Sequence, residues 1–361
     1  MYDINGKLAL INLILWVFLL ICYSLKSNRT HSTKKGYFCF YILSALFSTF
    51  AFAEADTYHY HEIYDQMLIY NESIHVEEFY YQLIKFLPAN YYVWRFVVWG
   101  TALMILIHTL RRLKIDSTFV YLVFPVILLQ QFAVTRGCLG IAVFLMSVSY
   151  IINPNPRYKI ISIILGYLFA VISLFLHQSL IIFAIIFLFA LIPITKNVFF
   201  ILLLAYPIIR AIILPYTINL LGTGFFDDET VSFATHYLNS EQSVANINGI
   251  IRMIVEYIPR LLVFYFLIKQ FVFRQNEYPR VIRIMFQYSF VLFYIALLFW
   301  GQETSSFVTN RTIHLMCFPL MITLTYILTQ YRTVPKYMKL VLFSFVFSDL
   351  YAFSYTIVKT W

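Results

Sequence analysis

The sequence predicts an all-α, polytopic transmembrane helix bundle, and three observations predict it. Hydrophobic residues make up 61% of the 361 residues, whereas a soluble globular domain contains roughly 45–50%. Charged residues make up only 12%, about half of the usual share. Apolar runs long enough to cross about 30 Å of hydrocarbon recur along the whole chain. Because one soluble domain cannot bury so much apolar surface, soluble folds are excluded.

The apolar runs predict about twelve spans. They cover about 8–25, 37–53, 91–110, 118–135, 137–152, 160–177, 179–195, 198–214, 259–273, 284–300, 313–330 and 339–357. Tyrosine and tryptophan crowd the ends of these runs, as at Tyr91, Tyr92 and Trp94, which is typical of the membrane interface. Pro125 and Pro207 fall inside spans, where neighbouring helices can satisfy the freed backbone groups.

The basic residues orient the predicted bundle. The formal net charge is +9, from 26 lysines and arginines against 17 acids. Seventeen of the basic residues lie in alternate loops on one side: Lys26, Arg29, Lys34, Lys35, Arg111, Arg112, Lys114, Arg157, Lys159, Lys196, Lys269, Arg274, Arg280, Arg283, Arg332, Lys336 and Lys339. The positive-inside rule makes this side cytoplasmic, so both termini are predicted on the periplasmic side. The positive excess is therefore a topology signal, and no nucleic-acid partner is predicted.

Two outer segments, about 54–90 and 215–258, are too long for simple turns. Aromatic and aliphatic residues recur in them at helical spacing, as at Tyr60, Tyr64 and Leu68. This pattern favours amphipathic helices at the outer interface over separate folded domains. Residues 1–361 are therefore predicted to form a single integral membrane domain.

Six arginines break the positive-inside trend, because the predicted topology places them in outer loops or near outer helix ends. They are Arg95, Arg136, Arg210, Arg252, Arg260 and Arg311. An arginine near hydrocarbon is costly unless it is paired or faces a wet cavity. Its planar guanidinium grips a phosphate through two hydrogen bonds at once. The six indicate an anion site on the outer face, and snorkelling or ion pairs with outer acids such as Glu256 are the alternative.

Arg136 and His177 are the sharpest candidates, since each lies at a predicted outer helix end. Arg136 precedes a helix whose N-terminus would also favour a phosphate. His177 closes an apolar run and can accept a proton near neutral pH, so it is a candidate general base. A buried histidine bonded to a carbonyl group explains the same position equally well.

Acidic residues open the first outer segment. Glu54 and Asp56 follow the second span and can accept a hydroxyl proton, although a solvated helix start explains them nearly as well. His59, His61 and Asp65 lack an evident fourth ligand, so neither a metal nor another cofactor is predicted.

Several short motifs resemble the EpsG family in order and spacing. They are Asp56–Tyr64 (DTYHYHEIY), Thr135–Ala142 (TRGCLGIA), His177–Ile181 (HQSLI) and the late pair Asn310-Arg311. The likeness covers most of the chain. One departure is that the family often has an arginine just before the acidic stretch, where this chain has Phe52, Ala53 and Glu54.

The resemblance implies a Wzy-type polysaccharide polymerase with a GT-C-like architecture in the bacterial inner membrane, making capsule, O-antigen or exopolysaccharide. Its donor would be an oligosaccharide on undecaprenyl pyrophosphate, embedded in membrane lipid. The six arginines would bind pyrophosphate, and His177, Asp56 or Glu54 would act as the base. A chain-length regulator and a flippase are implied as partners.

Other functions use a similar inventory of residues. A flippase for the same lipid-linked sugar would place charges near mid-membrane and often show related halves, whereas most charges here cluster at one face. An O-antigen ligase or a membrane acyltransferase would also need outer arginines and a histidine. Polymerisation remains the leading hypothesis.

Overall fold

The computed structural model is helical wherever it describes the chain. It describes residues 64–65, 83, 91–113, 135–177, 180–222, 247–274, 278–299, 312, 315–320, 322–324 and 326–327. The helices are α1 Tyr91–Arg112, α2 Thr135–Ile152, α3 Lys159–Leu176, α4 Leu180–Ala190, α5 Lys196–Gly222, α6 Ile247–Phe271 and α7 Arg280–Phe299. Within the described ranges no residue lies in a strand. The all-α class is confirmed, and the count of about twelve helices stays a prediction.

Three helices in the described ranges are long and apolar enough to cross a membrane. They are Tyr91–Arg112, Pro156–Leu176 and Arg280–Leu298, close to three of the predicted spans. Large apolar side chains are also exposed on the helix surfaces, for example Ile160 on α3 and Leu204 on α5, each 75% exposed. Such surfaces are unfavourable in water and favourable against acyl chains. The chain is therefore a membrane protein, while its orientation stays a prediction.

The helix bounds depart from the predicted spans at prolines. Helix α5 continues through Pro207 and Pro215 to Gly222, and α6 begins at Ile247 and runs through Pro259. Both ends of the predicted outer segment 215–258 therefore continue the flanking helices, and its middle lies outside the described residues. A proline removes only one backbone donor, so a long apolar helix tolerates it when its neighbours adjust.

The described residues divide into two compact units, with boundaries between Ala184 and Ile185 and between Thr323 and Leu324. In the first unit α2 packs between α1 and α3. His108 of α1 stacks on Tyr150 of α2 at a centroid distance of 6.4 Å, near the last turn of each helix. This register makes α1 and α2 parallel, and the short turn before α3 makes α2 and α3 antiparallel.

Arg112 ties the ends of these three helices together. Its Nη2 donates to the Asn153 carbonyl at 2.8 Å and to Ser162 Oγ at 2.9 Å. The guanidinium carbon also lies 3.7 Å from the centre of the Tyr150 ring, a distance that suits a cation–π contact. Arg112, which the sequence indicated only as a cytoplasmic basic residue, therefore also links α1, α2 and α3.

Replacing Arg112 by alanine is expected to lower the free energy of unfolding by about 1.5–3 kcal/mol, the range for hydrogen bonds to a charged group. The neighbouring Arg111 is exposed and provides a control with the same charge loss. Thermal unfolding of both variants in detergent tests this link, and an equal loss of stability in the two variants would contradict it.

Gly166 lies at a close contact between α3 and α2. A Cβ atom at this position would lie 2.7 Å from Ile151 Cγ1 and 3.2 Å from the Ser147 carbonyl oxygen. Because a side chain would force the helices apart, the glycine sets their separation. Small residues have this role at helix contacts in membranes, where van der Waals packing drives association.

The second unit is held by hydrogen bonds between α5 and α7. Tyr206 of α5 donates to the Leu297 carbonyl at 2.7 Å, and Tyr294 of α7 donates to the Leu202 carbonyl at 2.8 Å. The two rings meet edge to face at 5.9 Å. This reciprocal pair satisfies the hydroxyl groups of two half-buried tyrosines and fixes the register of two parallel helices.

Helix α6 packs antiparallel on α7 in the same unit. Phe264 stacks on Phe293 with ring centroids 4.2 Å apart and an interplanar angle of 2°. Two turns further along α6, Phe271 stacks on Phe286 at 4.7 Å. The aromatic pairs therefore align the two helices along most of their shared length.

Candidate active site

His177 lies in the break between α3 and α4. Its backbone is extended, with φ −159° and ψ 103°, and its N–H donates to the Ser173 carbonyl at 3.1 Å. Its own carbonyl accepts a hydrogen bond from the Leu180 N–H at 3.0 Å. Nδ1 of the ring is buried, although the residue as a whole is half-buried. The backbone is therefore held on both sides, which fixes the position from which the imidazole side chain extends.

The first turns of α2 lie beside His177. A Cβ atom on Gly140 would lie 2.6 Å from Leu180 Cδ1 and 3.4 Å from His177 Cβ. Gly140 therefore allows α2 to approach the break between α3 and α4. Arg136 is the second residue of α2, about one helical turn before Gly140, and its side chain lies outside the described residues. Two motifs that are far apart in sequence thus meet at one end of the first unit.

Arg95 belongs to the same end of the first unit. It is 1% exposed and lies in the second turn of α1. Arg95 precedes His108, and Gly137 precedes Tyr150, by the same thirteen residues. Because His108 and Tyr150 are in contact between parallel helices, Arg95 lies at the level of the start of α2. A buried cation therefore accompanies Arg136 and His177 at this end.

Tyr64 brings part of a third motif to the start of α1. Its ring meets that of Tyr91 edge to face at 5.5 Å, and the residue is buried. Tyr64 ends the stretch that begins at Asp56, and Tyr91 lies one turn before Arg95. Neither the helical pattern nor the short motif that contains Tyr64 predicted this contact.

Arg210 and Arg260 lie in the second unit instead. Arg210 Nη1 contacts the Tyr206 hydroxyl at 3.4 Å, and the same hydroxyl binds the Leu297 carbonyl. Arg260 is 2% exposed, and the antiparallel packing of α6 on α7 places it at the level of Leu297. The two arginines therefore share one end of this unit, opposite the first residue of α7.

The other candidates are only partly placed. Arg252 lies in α6, and its side chain is outside the described residues. Glu54, Asp56 and Arg311 lie outside the described residues altogether. The described part of the chain contains no group of three histidine, cysteine, aspartate or glutamate side chains placed to hold a metal ion. Three of the predicted site residues, Arg95, Arg136 and His177, lie at the same end of the first unit.

Gly140 is the residue that sequence reasoning missed. The sequence did contain a signal for it, because Gly137 and Gly140 are small residues in an apolar helix, and small residues allow close helix contacts in membranes. What this signal did not indicate was the partner, since His177 approaches from another helix.

The end of the first unit can stabilise a negatively charged group and exchange a proton. A helix N-terminus and arginines attract an anion, and the adjacent imidazole can act as an acid or a base.

A family model described as the EpsG family matches residues 34–360. No curated protein and no solved structure matches the chain. The matched range includes every candidate residue in both units.

Proposed function

The chain belongs to the EpsG family, and on that premise we propose that it is a polysaccharide polymerase. It joins oligosaccharide repeat units carried on undecaprenyl pyrophosphate at the outer face of the bacterial cytoplasmic membrane. In each cycle an acceptor sugar hydroxyl attacks the anomeric carbon of the donor repeat. A new glycosidic bond forms, the bond between the anomeric carbon and the phosphate oxygen breaks, and undecaprenyl pyrophosphate leaves.

The observation that carries this proposal is the meeting of the Arg136 turn with His177. The lack of a side chain at Gly140 lets the first turns of α2 approach the break between α3 and α4, which supports a phosphate-binding helix start beside a proton acceptor. Glycosyl transfer from a lipid pyrophosphate needs both functions, because a phosphate oxygen gains charge while a hydroxyl loses a proton.

The arginines stabilise the leaving group. As the glycosidic bond to phosphate breaks, the electron pair passes to the phosphate oxygen and negative charge accumulates there. Arg136 donates to this oxygen from the first turn of α2, where the helix dipole adds to its charge. Arg95, buried at the same level, adds positive potential in a region of low dielectric. For Arg210, Arg252, Arg260 and Arg311, which belong to the second unit, pyrophosphate binding stays a prediction from the sequence.

His177 accepts the proton of the attacking hydroxyl. Its Nδ1 is shielded, so we assign this role to Nε2. The hydrogen bonds on either side of it fix the backbone from which the ring extends before the substrate arrives. Such pre-organisation is what general base catalysis requires, since the base must lie within hydrogen-bond reach of the proton it removes. Asp56 and Glu54 are the alternative bases.

Exposed apolar faces suit the lipid part of the substrate. Ile164, Leu168 and Phe175 of α3 are all exposed, and α3 ends immediately before His177. A polyprenyl chain lying along such a face would bring its pyrophosphate to the end of the helix. The chemistry would then take place at the boundary between hydrocarbon and water.

Reconstitution with a defined substrate tests the function. The purified protein in nanodiscs, supplied with one lipid-linked repeat, is expected to yield multimers together with free undecaprenyl pyrophosphate. Gel electrophoresis of the sugar and chromatography of the lipid measure both products. Movement of an unextended repeat across the bilayer would indicate a flippase, and transfer of the repeat to a different acceptor would indicate a ligase.

A further inference from the structure

The second unit contains a cavity that the proposed polymerase chemistry does not use. It has a volume of about 150 Å³ and lies where α4 and α6 end and α7 begins. Arg280 and Arg283 line it from the first turn of α7, next to Phe271 and Phe286. This end of α7 is opposite to the end shared by Arg210 and Arg260, and the charge pattern predicts that it faces the cytoplasm.

Arg283 has a donor that the described residues do not satisfy. Its Nε atom is buried and makes no hydrogen bond to any described group, although the residue itself is only half-buried. A buried charged donor without an acceptor is unfavourable. The guanidinium faces a cavity, so a bound acceptor would relieve this cost. The first turn of α7 adds the partial positive charge of a helix N-terminus at the same place.

The wall of the cavity is fixed before any ligand binds. With its amide oriented to satisfy both polar atoms, Gln287 donates to the Ala190 carbonyl at 3.0 Å and accepts from the Ile194 N–H at 2.8 Å. These bonds attach the end of α4 and the loop after it to α7. On the other side Phe271 stacks between Tyr278, at 4.4 Å, and Phe286, at 4.7 Å.

The surroundings are positively charged. Residues 269–287 contain Lys269, Arg274, Arg280 and Arg283 against the single acid Glu277. Lys196, at the start of α5, lies 5.4 Å from the centre of the Phe273 ring, close to the end of α6. The field at this end of the unit therefore favours an anion.

We propose that this cavity binds a phosphate group through Arg280 and Arg283. Two guanidinium groups and a helix start match the oxygens of a phosphate, which arginine binds by paired hydrogen bonds. A volume of about 150 Å³ is smaller than the roughly 300–1,000 Å³ of pockets for larger ligands, which excludes an oligosaccharide repeat. The phosphate belongs either to the head group of an anionic phospholipid or to a soluble phosphate.

Two probes distinguish these sources. The full chain in detergent is titrated with inorganic phosphate, and separately reconstituted with phosphatidylglycerol or phosphatidylcholine before native mass spectrometry counts the retained lipid. Selective retention of phosphatidylglycerol that millimolar phosphate does not displace indicates a lipid head group. Saturable binding of inorganic phosphate that displaces the lipid indicates a soluble phosphate. Equal retention of both lipids without phosphate binding would overturn the proposal.

Matched variants localise the binding. The double variant Arg280→Gln/Arg283→Gln is expected to bind the preferred probe at least tenfold more weakly. The control Arg274→Gln removes the same type of charge from a residue that does not line the cavity, and its binding is expected to stay within twofold. Arg283→Lys keeps the positive charge but cannot form the paired hydrogen bonds of a guanidinium group, so an intermediate loss of binding is expected. This variant replaces the double variant in the test if the double variant does not fold. The same loss in Arg274→Gln would show a diffuse basic surface and overturn the assignment.

Discussion

Replacing His177 by alanine is expected to lower the rate of chain extension by about 10²–10⁴-fold, the usual contribution of a positioned general base. The hydrogen bonds that hold the break between α3 and α4 are made by backbone groups of His177 and do not involve the ring. The variant should therefore still fold. His177→Gln preserves polarity without accepting a proton, so it should lose nearly as much activity. Product ladders formed over time from the lipid-linked repeat measure the loss.

His108 provides the control for this experiment. It is an exposed histidine in the same unit, near the C-terminal end of α1 and therefore at the end of the unit opposite to His177. Its Nε2 lies 3.5 Å from the Tyr150 hydroxyl. His108→Ala should extend chains at the unchanged rate. If His177→Gln kept most of the activity, Asp56 or Glu54 would be the better base.

Replacing Arg136 by alanine is expected to reduce extension by about 10²–10³-fold, the loss seen when one donor to a developing anion is removed. Arg136→Lys should recover part of the rate, because lysine restores the charge without the paired hydrogen bonds. The donor carries its pyrophosphate before and after bond breaking. Both weaker donor binding and a slower chemical step are therefore expected, and initial rates at varied donor concentration separate them.

Arg157 is the matched control for Arg136. It is exposed and lies in the turn between α2 and α3, at the opposite end of the same helix pair. Arg157→Ala removes the same charge and should leave extension unchanged. Full-length ladders from both Arg136 variants would remove Arg136 from the site. The buried Arg95 is less suitable for this test, since its loss affects folding as well as catalysis.

The sequence predicted the helices of the first unit closely because simple rules apply there. Apolar length and flanking arginines placed α1, α2 and α3 within two residues of their observed bounds. The same rules ended one span too early, before Pro215, and began another too late, at Pro259, whereas the observed helices run through both prolines. Proline penalises a helix locally, but the packing of a long apolar segment decides the outcome.

The candidate site was predictable in its parts and not in its assembly. Composition and topology identified Arg136 and His177, since polar residues at the outer ends of apolar helices need a reason. Their proximity depends on the close approach at Gly140, which follows from packing between distant segments. Topology likewise explained Arg112 as an inner charge, whereas its hydrogen bonds to Asn153 and Ser162 depend on the positions of two other helices.

The length of α3 links the chemistry to the thickness of the bilayer. The helix has 18 residues and rises about 27 Å, slightly less than the roughly 30 Å of a typical hydrocarbon core. Its apolar side chains face outward along most of that length, so the surrounding acyl chains set its depth. His177 follows its last residue directly. A thicker bilayer would draw the imidazole towards hydrocarbon and away from sugar hydroxyls in water, whereas a thinner one would keep it at the boundary.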